Sequence, residues 1–160
     1  MSTRVLCLGN DLLADDGLGP AVAERLRQLG TSAEIMESAE SGFYLFDRLL
    51  HCQRLIVVDT IATGTSAPGT VSMRAEAEIS AVPGSSPHYA GICEGLELAR
   101  RSGMPAADQV TFITVEAQDL TTIGAAMTPA VAASLDDAVA LTLIACSEPV
   151  GAAGSDAAFT

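Results

Sequence analysis

An apolar strand passes through a short acidic loop into an amphipathic helix at the start of this chain. Residues 3–9 are predominantly apolar, and residues 18–29 carry apolar side chains at helical spacing until Gly30. The loop between these two segments holds three aspartates. A strand that leads into a helix in this way is the repeating unit of an open α/β sheet, and it constrains the fold more than any other feature.

The same alternation continues along the chain. The nearly continuous apolar run at 54–61 predicts a central parallel strand that is covered on both faces. Further strands are predicted at 33–37, 70–74 and 110–115, and helices at 43–50, 87–101 and 128–143. Together they predict an α/β fold, a three-layer α/β/α sandwich around a mostly parallel twisted sheet of about five strands. The 70–74 strand is suited to an antiparallel position at the edge.

The length and composition of the chain allow one sizeable core, with 160 residues and a hydrophobic content of 49%. We expect a single α/β domain over residues 1–146 and a flexible tail over 147–160, which is rich in Gly, Ala and Ser. No apolar run reaches the ~20 residues of a membrane span, and no basic stretch precedes a long apolar one near the first residue. A cytoplasmic location without a membrane span is therefore expected.

Composition also excludes several classes of function. The chain has 20 acidic and 8 basic residues, and the resulting net charge of −12 disfavours nucleic acid as a partner. Every basic residue is an arginine, which excludes a lysine-dependent phosphate loop and a Schiff-base mechanism. The four cysteines are far apart, which predicts buried thiols rather than a zinc site, and the two histidines form no HExxH motif.

Three segments carry the residues best suited to chemistry. Asp15 and Asp16 follow the first strand, Asp59 ends the central strand, and His88 opens a helix. Each has a simpler structural explanation, because an aspartate can cap a helix for ~1 kcal/mol and a histidine near a helix start is commonly just solvated. A charge at the end of an apolar strand is costly to bury, however, and open α/β sheets place ligand groups at the carboxyl ends of their strands.

These three segments are expected to open at one edge of the sheet. Two carboxylates and an imidazole suit a borderline divalent cation, and the lack of cysteine ligands leaves coordination positions open. The residues therefore predict an incomplete site, in which a partner molecule completes the coordination of the metal ion.

Three short motifs occur in order along the chain: Gly9-Asn10-x-Leu12-x-x-Asp15-Asp16-Gly17-x-Gly19, Val58-Asp59 and Ser86-Pro87-His88. Together with Met127-Thr128-Pro129, they resemble the hydrogenase maturation endopeptidases, which trim the large subunit of NiFe hydrogenases. The resemblance extends over residues 3–143. It implies that Asp16, Asp59 and His88 are the catalytic and nickel-binding residues. Asn10, Asp15 and Glu40 are the corresponding candidates for substrate binding.

The resemblance also implies a reaction. The enzyme would be an endopeptidase, with an aspartic-type mechanism as a candidate, that recognises nickel in the large-subunit precursor and removes a C-terminal peptide. Nickel would then arrive with the substrate, and no tightly bound organic cofactor is expected. The attacking group stays open between a carboxylate and a nickel-polarised water. Asp16 is the candidate for both roles, while Asn10 and Asp15 shape the loop.

One segment departs from the family pattern. Many family members show Asp-Gly-Gly-Thr after the second strand, whereas this chain has Glu37-Ser38-Ala39-Glu40. Loss of the tight glycine turn predicts a cleft wall of different shape, and with it a different preference for the large subunit.

Two other functions stay open from the residues alone. A phosphoacceptor receiver domain also places an acidic pair after its first strand and an aspartate after its third, but it needs a lysine that this chain lacks. A non-catalytic chaperone that carries nickel or inspects the precursor would use the same residues. Such a carrier would differ from the protease in binding nickel tightly by itself.

Overall fold

In the computed structural model, which describes residues 2–79 and 91–148, five strands form one sheet. They are β1 (Thr3–Leu8), β2 (Glu34–Ser38), β3 (Arg54–Ile61), β4 (Val71–Ala75) and β5 (Gln109–Glu116). Their order across the sheet is β2-β1-β3-β5-β4, with β4 antiparallel to β5 and the other neighbours parallel. This confirms the prediction of a mostly parallel sheet with an antiparallel edge strand.

Helices cover both faces of this sheet. They are α1 (Leu18–Leu29), α2 (Glu76–Ile79), α3 (Ile92–Arg101), α4 (Pro129–Ala133) and α5 (Leu135–Ser147), with 3-10 helices at Ala14–Gly17 and Gly42–Leu49. On one face, Val22 of α1 shares a buried cluster with Val58 of β3 and with α5. On the other face, Leu96 of α3 and the 3-10 helix Gly42–Leu49 pack against Val57. The predicted three-layer α/β/α sandwich is therefore confirmed.

Two helical segments differ in detail from the sequence-based expectation. The segment predicted as an α-helix at 43–50 is a 3-10 helix, in which Leu45 and Leu49 are buried. The helix predicted at 128–143 is divided at Ser134, whose hydroxyl donates to the Val131 carbonyl at 2.6 Å. A serine side chain that bonds the backbone in this way competes with continued helical pairing.

Helix α1 packs very closely against the end of β1. A Cβ atom at Gly19 would lie 2.0 Å from the carbonyl oxygen of Leu8. A Cβ atom at Gly9, where φ is +144°, would lie 2.0 Å from the carbonyl oxygen of Asp16. These two glycines of the first motif therefore allow the loop to fold back over the strand end, which is what places Asp16 there.

Two buried arginines lie at the amino-terminal ends of β1 and β3 and bind the segments next to them. Arg4 donates to the carbonyl oxygens of Arg48 and Leu50 at 2.8 and 2.7 Å. Arg54 donates to the carbonyl oxygen of Cys146 at 2.7 Å, at the end of α5. Charged donors thus satisfy carbonyl groups that helices leave without partners. The amino-terminal ends of the strands therefore have a structural role, and the residues suited to chemistry lie at the carboxyl-terminal ends.

Two parts of the sequence-based expectation lie outside the described residues. They are the helix start at 87–90, including His88, and most of the predicted tail, from 149 to 160. Helix α5 runs through Ser147, the first residue of that predicted tail. Of the helices that the structure describes, none has the length and apolar character needed to cross a bilayer.

Candidate active site

The carboxyl ends of β1 and β3 border a reversal in strand order. From β1 the chain passes to β2 on one side and then returns to β3 on the other. Helix α1 covers one face of the sheet, and the 3-10 helix Gly42–Leu49 covers the opposite face. In open α/β sheets, ligands bind in the crevice outside the carboxyl ends of the strands at such a reversal. Both Asp16 and Asp59 lie at this edge.

Asp16 lies in the 3-10 turn Ala14–Gly17, directly beyond β1. Its Oδ2 atom accepts the backbone N–H of Asn10 at 2.8 Å, and its own N–H donates to the Leu13 carbonyl at 2.9 Å. The turn lies against β3. The residue is 6% exposed, so Asp16 is nearly buried at the strand end.

Asp59 is fully buried near the end of β3. Because Cys7 pairs with Val58, Asp59 lies level with Leu8, the last residue of β1. Alternation along the strand places it on the face that α3 covers. Its Oδ1 atom accepts the backbone N–H of Thr60 at 2.8 Å. A carboxylate inside an otherwise apolar strand is costly to bury, which makes Asp59 a strong candidate for function.

His88 lies outside the described residues, so the structure places two of the three predicted metal ligands at this edge. Helix α3, which follows His88 in the chain, packs on the face of the sheet that carries Asp59. Over residues 2–79 and 91–148, no group of three or more His, Cys, Asp and Glu side chains is arranged to hold a metal ion. The three-residue assignment therefore stays a prediction.

Asp15 has different surroundings from its neighbour. Its Oδ2 atom accepts the backbone N–H groups of Gln118 and Asp119, both at 2.8 Å. Its Oδ1 atom accepts the backbone N–H of Thr128 at 2.7 Å and the Thr128 hydroxyl at 2.8 Å. The residue is fully buried. Its assignment to substrate binding stays a prediction, and these contacts favour a role within the protein.

Sequence reasoning missed the partners of Asp15, which lie more than 100 residues further along the chain. One signal was available, because Thr128 belongs to the last segment of the family resemblance. The structure shows that the first and last of these segments are joined by hydrogen bonds, an arrangement that spacing along the chain does not reveal.

An open cleft of about 240 Å³ lies between the ends of β1 and β2. It is lined mainly by residues 9–11 and 37–39, so the segment that departs from the family pattern forms one wall. The carboxylate of Glu37 forms an ion pair with Arg27 of α1. The wall is therefore tied to the helix that follows the acidic loop.

Two further predicted substrate-binding residues lie beside this cleft. The Asn10 side chain accepts the backbone N–H of Leu12 at 3.0 Å and so turns the loop. Glu40 is exposed, and its Oε2 atom accepts a hydrogen bond from Arg48 at 3.2 Å. Both positions are compatible with substrate contact, and their roles stay predictions.

The four thiols do not provide a ready nucleophile. All are free, with Cys7 and Cys52 buried and Cys93 and Cys146 half-buried. Burial raises the pKa of Cys7 to about 12 and that of Cys93 to about 11. Because the thiolate is the reactive form, little of it is present near neutral pH. Carboxylates are therefore the better candidates for chemistry at this edge.

The loop that contacts Asp15 is shaped by Asp119. The Thr122 hydroxyl donates to Oδ2 of Asp119 at 2.6 Å. The backbone N–H groups of Thr121 and Thr122 donate to Oδ1 at 2.9 and 3.0 Å. The hydroxyl of Thr122, followed by these two amides, lowers the pKa of Asp119 to about 2.

We expect an NMR titration of the Asp119 carboxyl carbon to give a midpoint of about 2. Because this value lies below the ordinary 3.8, the stabilisation of the loop is present above about pH 4 and is lost as the pH falls through the folded-state pKa. Thr122→Val should raise the midpoint, and Thr122→Ser should keep it low. A midpoint of 3.8 in the parent protein would contradict the described contacts.

Known proteins share both the sequence pattern and the fold. The family described as "HycI: Hydrogenase maturation protease" matches residues 20–145. The hydrogenase 2 maturation protease of Escherichia coli (strain K12) is 30% identical over 154 residues, which cover 92% of each chain. The hydrogenase expression/formation protein HupD of Rhodobacter capsulatus is 30% identical over 142 residues, covering 85% of this chain and 67% of the relative.

Structural comparison gives the same picture. The solved structure of the hydrogenase maturating endopeptidase HybD from E. coli superposes with a TM-score of 0.79 and 29% identity. The match covers 91% of each chain. The structural similarity therefore extends over most of the chain.

Proposed function

This chain belongs to the hydrogenase maturation protease family, and we propose that it removes the C-terminal extension from the large-subunit precursor of a NiFe hydrogenase. The observation that carries the proposal is the position of Asp16 and Asp59 at the carboxyl ends of β1 and β3. This is the edge at which an open α/β sheet binds its ligand. Family membership supplies the reaction class, and the geometry supplies the candidate residues.

Nickel is part of the substrate in this proposal. Asp16, Asp59 and His88 offer two carboxylates and an imidazole to an ion that the precursor already holds. Oxygen and nitrogen donors are suitable ligands for such an ion, and three of them leave positions for the precursor's own ligands. Cleavage would then depend on prior nickel insertion, because an empty precursor lacks the group that completes the site.

Hydrolysis of the peptide bond needs an attacking group beside the scissile carbonyl. A carboxylate or a nickel-polarised water can serve, and both fit an aspartic-type acidic site. Asp16 is our candidate for this step, because the Asn10 amide holds its carboxylate at the strand end. The absence of lysine and the raised pKa values of the Cys7 and Cys93 thiols support the choice of a carboxylate.

The direct experiment incubates the purified protein with nickel-loaded and nickel-free precursor and measures the intact mass of the product. We expect shortening of the loaded form alone. Asp16→Ala and His88→Ala should leave the loaded precursor uncleaved, while Asp137→Asn on the exposed side of α5 should process it like the parent. Shortening of both forms would contradict nickel gating. Cleavage of neither form, with tight nickel binding by the protein alone in calorimetry, would indicate a non-catalytic carrier.

A further inference from the structure

We infer that Asp15 is a positioning residue, which fixes the turn carrying Asp16 by holding residues 118–119 and Thr128 against it. The inference rests on the proposed function, because correct placement of Asp16 is measured as cleavage of the precursor. It assigns Asp15 a role that differs from contact with substrate.

The carboxylate of Asp15 joins three segments of the chain. Its two oxygens accept the backbone N–H groups of Gln118, Asp119 and Thr128, together with the Thr128 hydroxyl, at 2.7 to 2.8 Å. The backbone N–H of Asp15 donates in return to the Asp119 carbonyl at 2.9 Å. The contact therefore runs in both directions, through backbone as well as side chain.

The side chain of Thr128 binds Asp15 and does not cap the helix that it precedes. It occupies the N-cap position of α4, with Pro129 next, yet its side chain makes no capping hydrogen bond. A threonine at this position commonly accepts a backbone N–H of the first helical turn. Here the hydroxyl donates to Asp15, so the side-chain contact of Thr128 is with the acidic turn and not with α4.

The same two loops also meet on the Leu12 side of the turn. Leu13 forms an antiparallel bridge with Ile123, and the N–H of Gly124 donates to the Leu12 carbonyl at 2.7 Å. Asp16 follows Asp15 directly within the turn. The segment from Gln118 to Thr128 thus contacts the acidic loop both at Leu12 and Leu13 and at Asp15. Of these contacts, those of the Asp15 carboxylate are the charged ones.

A carboxylate is required at this position, and an amide of the same shape does not replace it. Every partner of the two oxygens is a donor. In Asp15→Asn, one orientation points the NH2 group at the Gln118 and Asp119 amides, and the other points it at the Thr128 amide. Either orientation leaves a partly buried backbone N–H facing another donor, so the turn must shift.

Asp15→Asn is the main test, with Asp137→Asn on the exposed part of α5 as the matched control. At a temperature where both variants are folded by circular dichroism, we expect kcat on nickel-loaded precursor to fall about 10- to 100-fold in Asp15→Asn. KM should stay within about twofold of the parent. The control should match the parent in both constants.

A second readout does not depend on cleavage. The Asn10 amide donates to Asp16, so its NMR cross-peak reports the position of the Asp16 carboxylate. We expect this peak to move in Asp15→Asn in the direction seen for Asp16→Asn, and to stay in place in Asp137→Asn. A milder pair guards against failure to fold, because Thr128→Val removes the hydroxyl contact and Thr128→Ser retains it. Thr128→Val should move the same peak and lower kcat, and Thr128→Ser should restore both.

Each result decides the matter. An unchanged Asn10 peak with unchanged kcat in the folded variants would overturn the inference, and a rise in KM alone would assign Asp15 to substrate binding instead. If the Asn10 peak moves but the parent protein cleaves no precursor, the proposed function fails while the positioning role of Asp15 stands.

Discussion

Gly9→Ala is expected to abolish most processing and to destabilise the fold. Its Cβ atom would lie 2.0 Å from the Asp16 carbonyl oxygen and 3.3 Å from Cδ of Pro20, at a φ of +144° that side chains disfavour. The overlap is with backbone, so relief requires the acidic turn to move by about 1 Å. A shift of that size at a reacting group costs about 100-fold in rate. The strained backbone adds about 2–4 kcal/mol of destabilisation.

Gly17→Ala is the matched control, because it adds the same methyl group to the same motif. The nearest atom to its Cβ would be Cα of Asp11 at 3.5 Å, an ordinary contact, and its φ of −72° suits alanine. We expect its free energy of unfolding to stay within about 0.5 kcal/mol of the parent. Urea unfolding and timed cleavage of nickel-loaded precursor measure both effects. Equal rates for Gly9→Ala and Gly17→Ala would show that the close approach at Gly9 does not position Asp16.

The layers of the fold could be predicted because apolar periodicity reports which face of an element is buried. The sequence predicts strand β3 at 54–61 and the structure has it at Arg54–Ile61, since a strand covered on both faces shows a nearly continuous apolar run. The pattern was weaker for the 3-10 helix Gly42–Leu49. Leu45 and Leu49 are four residues apart, a spacing that favours one face of an α-helix, whereas a 3-10 helix aligns residues three apart.

The edge that holds the acidic residues could also be predicted, because parallel strands end together. Their individual surroundings could not. Asp15 and Asp16 are adjacent in sequence, yet one binds backbone groups more than 100 residues away and the other binds the amide of Asn10. Periodicity identifies buried faces, but it does not identify which loop meets which. The difference between a structural and a candidate catalytic aspartate becomes visible only in three dimensions.

At Asp59, one substitution can separate an effect on stability from an effect on cleavage. Its carboxylate is fully buried on the face covered by α3, and Oδ1 accepts the Thr60 amide. Asparagine has the same shape and keeps an oxygen for that amide. Removal of the charge also removes the cost of burying it, which offsets contacts that favour the charged form. We therefore expect the free energy of unfolding of Asp59→Asn to stay within about 1 kcal/mol of that of the parent.

Processing by Asp59→Asn should nevertheless fall by more than about 100-fold, because a neutral amide is a poor ligand for a divalent ion and cannot act as a base. The control is Asp108→Asn, the same substitution at an exposed position beside β5 on the opposite edge of the sheet. It should retain both stability and cleavage. Thermal unfolding and cleavage of nickel-loaded precursor are measured on the same preparations. Parent-like cleavage by folded Asp59→Asn would show that Asp59 is not part of the site. Loss of folding would assign Asp59 a structural role, because a carboxylate used only for chemistry can be neutralised without loss of the fold.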